Sequence, residues 1–233
     1  MDFQRRDVVI TGGTGGLGTA VVDALLNAGA ICHVPYIEES EAERFPHRNH
    51  PQVRLMRDID LLREEVVAKL YESVPKLWAS VHLAGGFAMA PLADTKRAAL
   101  LQQVELNLVT SFLCCREAVR SMTRTGAGGR IVNVAARPAL EWRTGAGMTA
   151  YTASKAAVAA LTVALAQEVA KDGILVNAVA PSIIDTPANR RSMPDADHAA
   201  WPKADEIART IAFLASPDNK VTRGAIVPVY GRV

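Results

Sequence analysis

The 233-residue sequence predicts an α/β fold: one doubly wound parallel sheet of about seven strands, flanked by helices, with residues 1–233 as a single domain. Three observations predict it. A β-branched run, Asp7 to Thr11, leads through a glycine-rich turn into apolar residues at helical spacing. Short apolar runs then alternate with helical segments to the end of the chain. No linker or repeat interrupts them, and the length suffices for one substantial core.

Composition narrows the function classes. Hydrophobic residues make up 49% of the chain, without an unbroken apolar run of about 18 residues, so no membrane span is expected. Met1 to Arg6 is charged and runs straight into a strand, unlike a signal peptide. Cys32, Cys114 and Cys115 lack metal-ligand spacing and read as reduced core thiols of a cytoplasmic chain. The net charge of +2 includes no dense basic run, so nucleic acid is not an expected partner.

The first strand opens into Gly12-Gly13-Thr14-Gly15-Gly16-Leu17-Gly18, followed by Ala20, Val21, Ala24 and Leu25 at helical spacing. Glycine permits the tight turn and close approach to a pyrophosphate, which a helix N-terminus stabilises. In this Rossmann-type context Gly12, Thr14, Gly16, Leu17 and Gly18 are assigned to a dinucleotide. Ala30 to Tyr36 is the second strand. Its end should read the adenosine ribose, about 20 residues past the glycines. Tyr36 occupies that end, and Glu38 and Glu39 follow with no base before Arg44. Carboxylates suit a free 2′-hydroxyl and arginine a 2′-phosphate, so NAD(H) is favoured over NADP(H); otherwise the glutamates are solvated loop residues.

Val53 to Met56 is the third strand. Asp58 after it either contacts the adenine edge or caps a helix beginning near Leu61. Leu77 to Ala84 is the fourth, ending in Ala84-Gly85-Gly86, where the backbone can pass close to a cofactor. Phe87 and Met89 follow in a loop beside the crevice. Ala93 to Thr123 is mostly helical, with Leu100, Val104, Leu108, Phe112 and Cys115 near one stripe. Within it Asn107, a poor helix former among apolar neighbours, either kinks the helix or holds a water. Gly128 to Val134 is the fifth strand, and Met148 to Lys171 an Ala-rich helix. Gly173 to Ala180 is the sixth strand, ended by Pro181. A polar, Pro-broken segment makes a lid at about 185–203. Ala204 to Ala215 is a helix and Ala225 to Val229 the last strand.

Tyr151 and Lys155 are four residues apart, one above the other on a helix face. A positive charge beside a phenol favours the phenolate and lowers its pKa. Tyr151 would thereby be a general acid near neutral pH. Alone the pair could be ordinary helix residues; the dinucleotide turn and Asn107 give it a chemical setting.

Thr11-Gly12 to Gly16-Leu17-Gly18, Asn107, and Tyr151-Thr152-Ala153-Ser154-Lys155, in this order, resemble the short-chain dehydrogenase/reductase family. The resemblance extends through Asn177-Ala178-Val179-Ala180-Pro181 to Gly224-Ala225-Ile226-Val227. It implies hydride transfer between a nicotinamide cofactor and a small substrate, with Tyr151 as the proton donor. Lys155 would lower its pKa and bind the nicotinamide ribose, while Asn107 would support a relay water. Pro181, Ile184 and Thr186 would lie beside the cofactor, Thr186 near the carboxamide. The Ala93–Thr123 and Met148–Lys171 helices would pair copies into a homodimer or homotetramer.

Two places depart from the family pattern. Ala135-Ala136-Arg137 stands where a serine usually bonds the substrate oxygen, and His82-Leu83-Ala84-Gly85 replaces Asn-Asn-Ala-Gly. Losing such a donor costs on the order of 10² to 10³ in rate, unless Thr144 or Thr149 replaces it. These departures, Phe87, Gly147-Met148 and the run Asp185 to Asp197 with Trp201 are similar to the quinonoid dihydropteridine reductases, which use NADH without that serine. Tyr36 and Asn107 differ from that branch. Phe87, Ala136, Met148 and Trp201 are therefore assigned to substrate; Phe87 and Trp201 either stack on a flat ring or pack lid and core. The leading expectation is an NAD(P)H-dependent reductase of quinonoid dihydropterin or a similar planar acceptor. The alternatives are a carbonyl reductase or alcohol dehydrogenase for 3-oxoacyl or sugar substrates, and a non-enzymatic nucleotide-binding regulator.

Overall fold

The computed structural model describes residues Met1 to Val233. Its seven strands are β1 (Asp7–Thr11), β2 (Ile31–Pro35), β3 (Val53–Met56), β4 (Leu77–His82), β5 (Gly129–Val134), β6 (Ile174–Pro181) and β7 (Ile226–Val229). They form one parallel sheet in the order β3-β2-β1-β4-β5-β6-β7. From β1 the chain steps outward to β3, then returns to place β4 beside β1 and steps outward the other way. That reversal opens a crevice at the carboxyl ends of β1 and β4, where sheets of this class take ligands.

Side chains alternate between the two covered faces of each strand. Val8 and Ile10 join Val21, Leu25, Ile207 and Ile211 beneath α1 (Gly16–Asn27) and α8 (Ala204–Ala215). Val9 and Ile131 point the other way, joining Leu70, Leu113, Met122 and Ala166 from α3 (Glu64–Glu72), α5 (Thr110–Thr125) and α6 (Thr149–Glu168). The three cysteines are buried and unpaired, and burial pushes each thiol up to about 12. They are packing residues rather than nucleophiles.

Three elements differ from the sequence reading. A short helix, α2 (Glu39–Arg44), follows β2, and α3 begins later than Leu61. The long helix is divided into α4 (Arg97–Val104), a π turn (Glu105–Val109) and α5, with Asn107 inside the π turn. The Arg97–Thr125 and Thr149–Glu168 helices also reach mean hydropathies of 1.3 and 1.2 over 18-residue windows, enough by length and composition to cross a bilayer. Here their buried residues pack against the sheet.

A buried polar chain crosses the face under α3, α5 and α6. The Tyr71 hydroxyl donates to Ser80 Oγ (2.7 Å), and Ser80 to His82 Nε2 (2.8 Å). The acceptor Asn133 Oδ1 lies 2.8 Å from His82 Nδ1, which fixes the ring proton there. Asn133 Nδ2 donates to Thr162 Oγ1 (2.9 Å), and Thr162 to the Val158 carbonyl (2.8 Å). Burial pushes His82 down to about 4, so the ring is neutral and every member has a partner.

His82→Leu removes one buried hydrogen-bond partner each from Ser80 and Asn133 and should destabilise the fold by about 2–4 kcal/mol in urea denaturation. The wild type should also lose stability as pH falls from 6.5 towards 4, since the unfolded chain takes up a proton that folded His82 refuses. His82→Asn, with no such proton, should flatten that part of the stability curve.

Candidate active site

At the end of β1 the chain turns through Gly12, whose φ of +66° is left-handed. A Cβ on Gly12 would lie 2.7 Å from the Ala84 backbone nitrogen, and one on Gly18 would overlap the Gly12 carbonyl. Glycine is therefore what lets the turn, α1 and the exit of β4 come together. Gly15 and Gly16 are exposed at the start of α1; the Gly15 N–H donates to the Gly12 carbonyl (3.1 Å), and the N–H groups of the helix N-terminus follow it. Thr186 closes over them; its Cγ2 would be 3.2 Å from a Cβ on Gly16. This open, backbone-lined cradle fits a dinucleotide pyrophosphate, with Thr14 and Leu17 on the same turn and Ala84, Gly85 and Gly86 opposite.

The adenosine end differs from expectation. Tyr36 is only 9% exposed, and its backbone is held by Met56 and Ile59. It presents no carboxylate at the strand end. Asp58 is exposed, at φ +60°, and does not cap α3, whose N-cap is Arg63. The helix-cap alternative is thereby removed. A contact absent from the sequence reading joins Thr14 Oγ1 to Glu41 Oε2 (3.3 Å).

Asn107 organises the other end. Its Oδ1 accepts from the Gly86 N–H (3.0 Å), and its Nδ2 donates to the Gly86 carbonyl (3.0 Å) and to Ser154 Oγ (3.1 Å). Ser154 in turn donates to the Tyr151 carbonyl (2.7 Å). A Cβ on Gly85 would lie 2.6 Å from Asn107 Oδ1 and 3.5 Å from Lys155 Nζ. The amide of Asn107 is thus occupied by the protein, and the Asn107 carbonyl accepts from Ser111 Oγ (2.7 Å). Its evident work is clamping the loop after β4 to α6. Ser154 was not singled out by sequence; its signal was its place between Tyr151 and Lys155.

The expected Tyr151–Lys155 electrostatics are corrected by the structure. Lys155 Nζ donates to the Val134 carbonyl (2.8 Å) rather than assisting the phenol. Burial then prevails over charge pairing: it pushes Tyr151 up to about 12 and Lys155 down to about 8.

On the substrate side, Phe87 is 62% exposed and meets the Tyr151 ring edge-on at 4.9 Å. Ala136 is buried and brings no hydroxyl. Thr144 Oγ1 donates to the Glu141 carbonyl (2.8 Å) on an exposed turn, and Thr149 lines a separate hollow with Trp142 and Ala156. Met148 is half-buried at the entry to α6, and the half-buried Ile184 lies beyond Pro181, the last residue of β6. Trp201 is a correction. It is 5% exposed and tilted against His198 at 4.6 Å, so it anchors the lid and offers no face to a substrate. The lid carries α7 (Pro187–Ser192) and is tied at its base: the backbone of Asp185 pairs in a parallel β-bridge with Lys203, and Arg190 donates twice to the Asp185 carboxylate (2.5 and 2.7 Å).

The short chain dehydrogenase family profile matches residues 6–197. The chain is 35% identical to galactitol 2-dehydrogenase of Rhizobium johnstonii, covering 98% of this chain and 94% of that protein. It is 30% identical to the 3-oxoacyl-[acyl-carrier-protein] reductase FabG of Pseudomonas aeruginosa, covering 99% and 98%. The structure of ElxO with NADP bound superposes with a TM-score of 0.90 at 25% identity, over 98% of both chains. The crystal structure of gox2181 gives 0.91 at 29% identity, over 99% of this chain and 96% of that one. With the glycine cradle, Asn107, Tyr151 and Lys155 assembled at one crevice, the chain belongs to the short-chain dehydrogenase/reductase family and is an NAD(P)-dependent oxidoreductase.

Proposed function

We propose that this oxidoreductase reduces a planar conjugated acceptor of the quinonoid dihydropterin type. The observation that carries the reading is Ala136, a bare methyl where a hydroxyl would meet the substrate oxygen, with the Thr144 hydroxyl already given to the Glu141 carbonyl. A carbonyl gathers charge on one oxygen as it is reduced, and a fixed donor there is worth on the order of 10² to 10³ in rate. A conjugated bicyclic ring spreads the added electron pair and has less need of such a donor. Exposed Phe87 beside Tyr151 offers an aromatic surface for a flat ring. The run Asp185 to Asp197, which resembles the lid of the dihydropteridine reductases, is in keeping with this reading.

The bound nicotinamide would supply hydride. Gly12, Thr14, Gly16, Leu17 and Gly18 would hold its pyrophosphate side, with Ala84, Gly85, Gly86 and Thr186 around the rest. Tyr151 gives a proton to the acceptor, and Lys155 stabilises the phenolate left behind. Asn107 and Ser154 keep the two side chains in register with the loop after β4.

A second reading, reduction of a ketone or oxidation of a secondary alcohol, is favoured by the similarity to galactitol 2-dehydrogenase and FabG. Self-association is proposed through the outer faces of α4, α5 and α6, where Leu100, Leu101, Phe112 and Val163 are exposed.

NADH or NADPH oxidation with freshly generated quinonoid dihydropterin should exceed background; no turnover with either cofactor sinks the pterin reading. Ala136→Ser should leave pterin turnover nearly unchanged, whereas a gain of about 10²-fold on ketones supports the second reading. Tyr151→Phe should lower kcat by about 10²-fold or more while the cofactor still binds. In wild type, kcat/KM should fall as pH rises through about 8, where the depressed Lys155 loses its proton and its influence on Tyr151.

A further inference from the structure

We infer that Glu41, rather than a residue at the end of β2, reads the adenosine ribose and selects NADH over NADPH. The inference rests on the cradle's being a nicotinamide dinucleotide site. The usual reader of the ribose is an acidic group about 20 residues beyond the glycines, at the strand end. Here that end is Tyr36, buried and without a carboxylate, followed by exposed, apolar Ile37. The acidic group comes instead from α2. Glu41 is half-buried, and its Oε2 accepts from the hydroxyl of Thr14, inside the glycine turn. No other acidic side chain hydrogen-bonds to residues 12–18.

The neighbouring charges separate Glu41 from its competitors. Glu39 is engaged elsewhere, with its Oε2 3.4 Å from Arg57 Nε. Arg57, just beyond β3, is a basic group that could receive a 2′-phosphate, as is Arg44 at the end of α2. Arg57 is already shared between Glu39 and Asp58 (3.6 Å). Glu41 Oε1 makes no hydrogen bond, so the carboxylate keeps an acceptor free for a ribose hydroxyl. The same carboxylate would face a 2′-phosphate with like charge, and exposed Glu38 and Glu43 on this segment add to the repulsion. Attraction for one cofactor and repulsion of the other come from a single group, an economical way to build specificity.

Calorimetric titration of the full-length protein with NADH and with NADPH, without acceptor, tests this. Wild type should bind NADH at least about tenfold more tightly, the size expected of a hydrogen bond to a charged group. Glu41→Gln should bring the two affinities within about threefold, chiefly by strengthening NADPH, and Glu41→Arg should reverse the order. Glu39→Gln should leave the wild-type ratio in place. Thermal melts confirm that the variants are folded; Glu41 lies outside the core. Equal or tighter NADPH binding by wild type overturns the inference, as does an unchanged ratio in Glu41→Gln. A selective loss of NADPH affinity in Arg57→Ala overturns it in favour of Arg57. Because no acceptor is present, failure to reduce a pterin leaves this result standing. Absence of saturable binding by both cofactors overturns the inference and the cofactor reading together.

Discussion

The buried amide of Asn107 is the contact on which the site depends. Its oxygen and nitrogen hold both polar groups of Gly86 and the hydroxyl of Ser154. An unmade bond at such depth costs about 1–3 kcal/mol, so these segments are strongly favoured to stay together. Gly86 fixes the loop leaving β4, while Ser154 fixes the backbone of Tyr151 and precedes Lys155 in the chain. One side chain thus sets the spacing between the loop after β4 and Tyr151. The π turn makes this possible, because it brings Asn107 to a point where α5, α6 and the β4 loop converge.

Burial shifts Tyr151 and Lys155 in opposite directions in this conformation. The low-dielectric surroundings that raise the phenol also depress the ammonium, and the Val134 carbonyl satisfies the lysine without charge compensation. The neutral His82 chain beneath, fully satisfied and remote from solvent, locks β4 and β5 to α3 and α6.

The fold was legible because it rests on repetition: alternating apolar runs and a glycine turn state the strand order almost directly. Tyr151 and Lys155 were legible as a pair, since helical spacing fixes which side chains are neighbours. Their pKa values were not, because the balance between a nearby charge and desolvation depends on where Nζ points. Trp201 failed for a related reason. An aromatic in a lid can face the ligand or anchor the loop, and only its stacking on His198 decides. Glu41 was missed because its contact with Thr14 arises from α2, a six-residue helix with too few turns to leave a periodic signal.

An α-helix turns by about 100° per residue, so the wide turn at Glu105–Val109 puts α4 and α5 out of phase. The face of α5 that buries Leu113, Cys114, Ala118 and Met122 meets the sheet only because that phase is broken. Length changes among related chains should therefore collect in the exposed turns between Arg137 and Gly147 or in the lid. A single-residue deletion between 105 and 109 would close the wide turn to an ordinary α turn and withdraw Asn107 from Gly86 and Ser154.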